Sequence, residues 1–228
     1  MPRAKQRTPE LRDRVLKIAV NALGEHGLSA FTTRRVAELA GTSVPAVYEL
    51  FNDKAGLIRQ VFFEGFRLLG CELATVPVTD DPLADVERLA PVFRQFCSER
   101  TALARVMFSR PFASFDPEPD DAAAGASVRE VFVGRVQRCV DAGLLAGDAA
   151  DIAHVLLALV QGLAIQEAGR WLGGSRASVN RRWTLGVQTM LRGFLPNQAC
   201  VNERQSAPGP RSGHARHDAD REGSVQRN

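Results

Sequence analysis

Between residues 33 and 54 the sequence places several side chains that can donate hydrogen bonds to phosphate oxygens. They are three hydroxyls, a guanidinium, a phenol and an amine, supplied by Thr33, Thr42, Ser43, Arg34, Tyr48 and Lys54. Such groups, especially near helix N-termini, are the usual partners of nucleic-acid phosphates. Arg34 can alternatively pair with the edge of a guanine base. The chemistry that these residues suggest is binding to a nucleic-acid backbone.

Two short helices joined by a tight turn are predicted to position these side chains. Thr32 is a suitable N-cap for the first helix, and Gly41 supplies the left-handed backbone that ends it. Thr42 or Ser43 then caps the second helix, and Pro45 lies in its first turn, where a missing N–H costs nothing. This geometry is that of a helix-turn-helix, which places its second helix in the DNA major groove. The alternative is a helical hairpin inside an ordinary all-α core.

A further helix on each side completes the predicted N-terminal domain. The upstream helix is expected from Pro9 to about His26, with Gly27 ending it. The downstream helix is expected to begin near Lys54, after a cap at Asn52 or Asp53. Apolar residues recur at helical spacing in both helices, so each should bury one face against the motif.

The N-terminal stretch resembles the DNA-binding domain of the TetR family of transcriptional regulators over about residues 9 to 69. The matching segments are Phe31-Thr32-Thr33-Arg34-Arg35-Val36-Ala37, Ala40-Gly41-Thr42-Ser43, Val47-Tyr48, Phe51, Lys54 and Leu57, with Ile18-Ala19, Ala22-Leu23 and His26-Gly27 upstream. The resemblance is specific, because the order and spacing of several residue types agree together. The rest of the chain resembles the family only in architecture.

This resemblance implies roles for individual residues. Tyr48 and Lys54 match positions that typically contact phosphates. The groove-facing positions correspond to Thr33, Thr42, Ser43, Pro45 and Ala46. The complete predicted DNA-contact set is Thr32, Thr33, Arg34, Thr42, Ser43, Pro45, Ala46, Tyr48 and Lys54. The sequence departs from the family at Glu49 and Leu50, where many members carry an aromatic or basic residue followed by histidine, and Leu50 cannot supply the phosphate contact of that histidine.

Charge is distributed as binding to DNA would favour. The 228-residue chain has a net charge of +3. Residues 1–60 hold ten lysines and arginines against six aspartates and glutamates, whereas residues 61–197 hold fourteen against sixteen. The excess positive charge therefore lies with the predicted DNA-binding domain. The basic residues from Arg3 to Lys17 form either an arm that touches the DNA or a solvated tail.

The remaining pattern predicts an all-α protein with a larger C-terminal helical domain over residues 70–197 and a disordered tail over 198–228. Helices are expected over 83–98, with a kink at Pro91, and over 100–110, 125–142 and 177–195. Another begins at Asp148, and an acidic loop is expected over 113–124. The DNA-binding domain then occupies residues 9–69.

The late helices carry too much apolar surface for one chain to bury. A four-helix interface between two copies explains this, and TetR-type proteins are implied to be dimers that bind two half-sites of a palindromic operator. A single intramolecular core is the alternative. The TetR resemblance also implies a pocket for a small hydrophobic ligand. The residues predicted to line it are Phe66, Phe93, Phe96, Phe108, Phe132 and Gln161, with Gln166, His154 and Arg135 as further polar candidates. The alternative for each of them is an ordinary position in the core or on the surface.

Other classes of protein fit the sequence poorly. It offers no Ser-His-Asp set, no glycine-rich phosphate loop and no paired metal ligands, so we predict no enzyme, cofactor or metal site. Three of the four cysteines, all but Cys200, are expected to be buried thiols. Without a signal peptide or a long apolar run, the predicted location is cytoplasmic. We predict a ligand-responsive dimeric repressor, with an activator or a ligand-independent DNA-binding protein as alternatives and a helical enzyme as a distant one.

Overall fold

The computed structural model describes residues 8–108 and 125–196, leaving out the side chains of residues 24–30. Within these ranges every regular element is a helix, which confirms the predicted all-α class. The helices are α1 (Pro9–Ala30), α2 (Thr33–Leu39), α3 (Val44–Phe51), α4 (Lys54–Ala74), α5 (Pro82–Glu87), α6 (Leu89–Glu99), α7 (Thr101–Phe108), α8 (Ala126–Asp141), α9 (Ala149–Ala168) and α10 (Arg176–Arg192).

Helices α1 to α4 enclose one apolar core. Its fully buried members include Val15 and Leu23 of α1, Phe31 between α1 and α2, Val47 of α3 and Leu57 of α4. Helix α2 buries one of its faces in the same core. Burying a large apolar side chain contributes about 1.5–3 kcal/mol, so this core fixes how the two short helices are held.

Capping residues set the helix starts as predicted. The backbone N–H of Leu11 donates to Thr8 Oγ1 (3.3 Å), which places Thr8 at the start of α1. At α4 the cap is Asp53, whose Oδ1 accepts from the Gly56 N–H at 2.7 Å. Such caps satisfy backbone donors that the first turn leaves unpaired.

Three predicted helix boundaries are wrong, one of them the end of the last helix, which is expected at residue 195 and lies at Arg192. Helix α1 does not end at Gly27 but continues to Ala30, since a glycine costs a helix only about 1 kcal/mol and does not by itself end it. The helix expected over 83–98 with a kink at Pro91 is two helices, which are separated at Arg88. Pro91 explains the break, because it lacks an N–H for the carbonyl of Glu87, four residues earlier, and its ring crowds that carbonyl.

Helix α4 links the N-terminal helices to the rest of the chain. It runs through residue 69 without interruption, so the domain boundary predicted there lies inside a helix and the division itself remains a prediction. Helix α7 packs against both α1 and α4. The contact with α4 is tight: a side chain at Gly65 would lie 2.6 Å from the sulfur of Met107. A displacement of α7 would therefore be felt directly by α4.

Helix α9 is the one helix of the described residues that is both long and strongly apolar. It is long and apolar enough to cross a membrane by length and composition, which corrects the expectation that the chain has no such run. The core helix of a globular bundle meets the same criterion, and α9 packs against α6, α8 and α10. Val155 and Ile165 nevertheless remain exposed on its outer side.

Three predictions lie outside the described residues. They concern the start of the basic N-terminal arm, the acidic loop over 113–124 and the tail over 198–228.

Candidate DNA interface and ligand cavity

The turn between α2 and α3 is built by local chemistry. Gly41 has a φ of +64°, the left-handed conformation that glycine adopts without strain. The Arg35 N–H donates to Thr32 Oγ1 (3.2 Å), and the Ala46 N–H donates to Ser43 Oγ (3.3 Å). Between the two possible caps of α3, the structure therefore selects Ser43. Both helix starts are fixed by hydroxyls within the predicted contact set.

The start of α3 and the start of α4 present a polar, exposed surface. Ser43 and Pro45 are exposed, while Thr42 and Ala46 are half-buried. Tyr48 keeps 41% of its surface exposed, and Lys54 is exposed as the first residue of α4. The phenol and the ammonium are thus available as donors.

Arg34 is exposed on α2 but is already paired. Its Nε donates to Glu38 Oε1 at 3.0 Å, one helical turn away. Exposed pairs of this kind contribute at most about 1 kcal/mol, so a phosphate or a base edge can displace Glu38.

Thr33 is buried, contrary to the prediction that it faces outward. Only 5% of its surface is exposed, and its Oγ1 has no hydrogen-bond partner in the structure. The helical repeat explains this, because Thr33 lies three and four residues before Val36 and Ala37 and shares their buried face. The sequence interpretation gave the hydroxyl more weight than this spacing.

Arg12 has a positioning role that was not predicted from the sequence. The sequence analysis assigned this residue to the basic N-terminal arm. Its Nη2 donates to Gln60 Oε1 at 2.6 Å, and its guanidinium lies 5.3 Å from the centre of the Phe51 ring. Arg12 thereby ties α1 to the C-terminal end of α3 and to α4. No local signal could have revealed this, since Gln60 lies 48 residues away in the sequence.

The predicted ligand-lining phenylalanines form part of the core. Phe66 and Phe93 each contact Phe108, with ring centres 5.8 Å and 5.6 Å apart, and Phe93 also contacts Phe132 at 6.5 Å. Phe93, Phe96 and Phe132 have no exposed surface. Such rings stabilise the packing of the helices. This agrees with the alternative that these phenylalanines are core residues.

A cavity of about 340 Å³ lies between α7 and the C-terminal end of α9. Of the predicted lining residues it includes Phe108, and of the predicted polar candidates Gln166. Its other main contributors are Ala104, Ala164, Ile165 and Trp171. Thr101 and Arg105 add polar groups at its edge. A mostly apolar wall with a few polar groups suits a small hydrophobic molecule.

The other polar candidates have structural or surface positions. His154 is exposed and Gln161 is half-buried on α9. Arg135 is buried and donates to the carbonyls of Val76 and Pro77, which corrects its assignment as a ligand contact. It holds the segment that follows α4 against α8.

A buried carboxylate reinforces the same junction. Asp85 accepts from the Thr79 N–H (2.8 Å), from Arg88 (2.6 Å) and from Arg138 (2.6 Å). The Thr79 hydrogen bonds and the Arg138 charge outweigh desolvation and hold the pKa of Asp85 well below its usual range. The ionised carboxylate thus ties α5 to α8.

A second charged cluster joins α6, α9 and α10. Arg94 makes two hydrogen bonds to the Glu167 carboxylate, both of 2.7 Å, and the Trp183 indole donates to the same group at 2.7 Å. The Arg94 hydrogen bonds lower the pKa of Glu167. This cluster borders a polar groove of about 450 Å³ between α6 and α10, which suits an apolar ligand less well.

The described thiols are free. Cys97 and Cys139 are buried as predicted, whereas Cys71 is exposed, which corrects that assignment. Burial raises the pKa of Cys97 to about 12, so its thiol stays protonated and unreactive at neutral pH. Within the described residues no group of potential metal ligands occurs.

Two family models match the chain. Residues 15–61 match the model described as bacterial regulatory proteins, tetR family, and residues 86–190 match the tetracyclin repressor-like C-terminal domain. No curated protein sequence matches significantly.

Solved structures share the fold over most of the chain. A protein with unknown function from Rhodococcus sp. RHA1 is 25% identical, with a TM-score of 0.71 over 85% of this chain and 100% of its own. A tetR-family regulatory protein from Rhodococcus RHA1 is 21% identical, with a TM-score of 0.59 over 83% and 100%. The fatty acid degradation regulator FadR from Bacillus halodurans is 13% identical, with a TM-score of 0.65 over 83% and 98%.

Proposed function

Because this chain belongs to the TetR family of bacterial regulatory proteins, we propose that it is a dimeric repressor that a small hydrophobic molecule releases from its operator. As a member of this family it is a DNA-binding transcriptional regulator. The observation that carries the finer proposal is the combination of an exposed polar surface at α3 and α4 with an apolar cavity beside α7.

The DNA contacts are proposed to come from eight of the nine predicted residues. Thr33 is omitted, since its hydroxyl is buried. Tyr48 and Lys54 donate to phosphates, the exposed start of α3 enters the major groove, and Arg34 exchanges Glu38 for the DNA.

The dimer is proposed to form through α9 and α10. Val155 and Ile165 on α9 and Leu185 on α10 are exposed large apolar residues, with Leu185 at 61%. An adjoining second copy would bury them, and a two-fold axis would present two α3 helices to a palindromic operator.

The ligand response is proposed to pass through α7. Ala104 and Phe108 face the cavity, while Leu103 and Met107 pack against Gly65 of α4. A molecule in the cavity that displaces α7 would shift α4 and with it the spacing of the two DNA-binding domains. Coupling of this kind typically amounts to about 1–3 kcal/mol.

TetR-family regulators are generally non-enzymatic, and we propose the same for this chain, with a cytoplasmic location. The domain division at residues 69 and 70, with a tail from 198, is likewise part of the proposal.

A mobility shift on the DNA upstream of the gene, paired with a reporter, tests the direction of regulation. A repressor shifts that DNA at dimer stoichiometry, and deletion of its gene raises reporter expression. A specific shift with lower expression after deletion would identify an activator and contradict this part of the proposal.

A further inference from the structure

The groove between α6 and α10 contains two charged side chains without partners. Glu87 is half-buried and Arg176 is exposed, and both line this groove of about 450 Å³. Within the described part of the chain, neither side chain forms a hydrogen bond or an ion pair. A carboxylate that is partly removed from water gains from a cation that approaches it. The groove therefore offers charges of both signs to a ligand.

The other charged groups that line the groove or its continuation already have partners. Arg94 makes two hydrogen bonds of 2.7 Å to Glu167, and the Trp183 indole donates to the same carboxylate. In the continuation of the groove, Glu99 accepts a hydrogen bond of 2.8 Å from Gln95 Nε2. These contacts leave the two unpaired side chains as the charges that a bound molecule can neutralise.

The two unpaired charges lie toward opposite ends of the groove. Arg94 Nη1 donates to Asn180 Oδ1 at 2.8 Å, and the residues of α6 that follow Arg94 line the continuation of the groove together with Arg176. Helices α6 and α10 are therefore antiparallel along the groove. Glu87, seven residues before Arg94, consequently lies toward the Gln188 end. On α10, Asn180 and Gln188 are separated by a rise of about 12 Å.

The middle of the groove has an apolar wall. Ala90, Trp183 and Val187 are buried beneath it, and Pro91 is exposed beside them. A wall of this kind fits an extended aliphatic chain, while a few polar groups fix the orientation of the ligand. The groove thus combines an apolar middle with a charged group toward each end.

We propose that this groove binds a linear molecule that has an ammonium group at one end, a carboxylate at the other and an apolar chain of about 10–12 Å between them. Glu87 binds the ammonium group. Arg176 binds the carboxylate, and Asn180, one turn later on α10, donates to it through Nδ2. The site is separate from the apolar cavity beside α7. At about 100° per residue, Arg176 and Leu185 lie on opposite sides of α10, so the inference depends on neither the proposed dimer nor the operator.

The test titrates the full chain at pH 7 with 8-aminooctanoate and measures binding by isothermal titration calorimetry. Octanoate and octylamine, which have the same chain and one charge each, are the comparison ligands. Glu87→Gln and Arg176→Gln each remove one charge, and Thr184→Trp fills the middle of the groove from an exposed position. Glu130→Gln on α8 and Arg192→Gln at the end of α10 are matched controls at exposed positions outside the groove.

We expect the parent to bind 8-aminooctanoate about tenfold or more tightly than either ligand with a single charge, because each end adds a charge-assisted contact. Glu87→Gln should weaken 8-aminooctanoate binding about tenfold and leave the octanoate affinity unchanged, since octanoate has no ammonium group. Arg176→Gln should weaken it by a similar factor and leave the octylamine affinity unchanged. Thr184→Trp should abolish binding of 8-aminooctanoate, and both control variants should match the parent.

Four results would overturn the inference. They are no binding of 8-aminooctanoate by the parent, equal affinity for it and for one of the ligands with a single charge, parent-like binding by both charge variants, and parent-like binding by Thr184→Trp. None of these measurements involves DNA or the association of two copies, so each of these results leaves the proposed function intact. A parent chain that fails to bind an operator would instead contradict the proposed function and leave the groove site standing.

Discussion

Substitutions at Tyr48 and Lys54 test the DNA-binding proposal most directly. Tyr48 lies on the surface in the middle of the short helix α3 and Lys54 lies on the surface at the start of α4, and neither forms part of the domain core. Their removal should therefore change binding without changing the fold.

Tyr48→Phe and Lys54→Ala are each expected to weaken operator binding about tenfold, because each removes a donor to phosphate in both protomers. For Lys54→Ala the salt dependence should also fall, by a slope of about 2. Fluorescence anisotropy over a range of salt concentrations measures both quantities. Arg176→Ala, an exposed charge on α10, is the matched control. Unchanged affinity in both folded variants would remove the assigned phosphate contacts.

The stability of the junction that follows α4 depends on the ionisation of the Asp85 carboxyl group. Its pKa is lowered in the folded protein, so the stabilisation is fully present above the ordinary value of about 3.8 and is lost as pH falls below it. Asp85→Asn should lower the thermal midpoint at pH 7 by about 5 °C or more, because it leaves the arginines around it without a counter-charge. The gap between variant and parent should shrink as the pH falls below about 4.

Asp141→Asn, at an exposed position ending α8, is the control and should leave the midpoint unchanged. An equal gap at pH 7 and at pH 3 would contradict the assigned cause of the pKa shift.

At the scale of elements, substitutions at two glycines distinguish the effect of backbone strain from the effect of helix propensity. Gly41 has a φ of +64° and Gly134 lies within α8, and a side chain added at either would meet no atom within 4 Å. Gly41→Ala should lower the free energy of unfolding by about 1 kcal/mol, because only the backbone conformation is strained. Gly134→Ala should raise it by about 0.5–1 kcal/mol. Urea unfolding measures both, and effects of equal sign would contradict this view of the α2–α3 turn.

Helix starts could be predicted because caps depend on neighbours in the sequence. Thr32, Ser43 and Asp53 all bond to backbone N–H groups three residues ahead. The break at Arg88 was local too, but it required counting four residues back from Pro91.

Long-range partners could not be predicted in this way. Arg12 and Arg135 look like free charges in the sequence, and their acceptors lie 48 and 58 residues away. The cavity was also unpredictable, since the phenylalanine pattern is the same for rings that fill a core and rings that line a pocket.

At the scale of the whole molecule, dimer formation and operator binding are proposed to depend on the same apolar surface of α9 and α10. Leu185→Glu is expected to make the chain monomeric at micromolar concentration, because it places a charge in the proposed interface. Operator affinity should then fall by at least about 100-fold, since each DNA-binding domain would bind its half-site alone. Sedimentation and anisotropy measure the two effects.

Leu144→Glu, at an exposed leucine after α8, is the matched control and should stay dimeric. A Leu185→Glu chain that remains dimeric would place the interface elsewhere.

The central claim is that this chain binds a specific operator as a dimer. The most direct measurement is selection of bound duplexes from a random DNA library by the purified full-length protein, followed by sequencing. We predict a two-fold symmetric sequence with two half-sites, which one dimer binds and which the Tyr48→Phe and Lys54→Ala variants bind about tenfold more weakly. Recovery of DNA without any shared sequence, bound equally well by those variants, would contradict the claim.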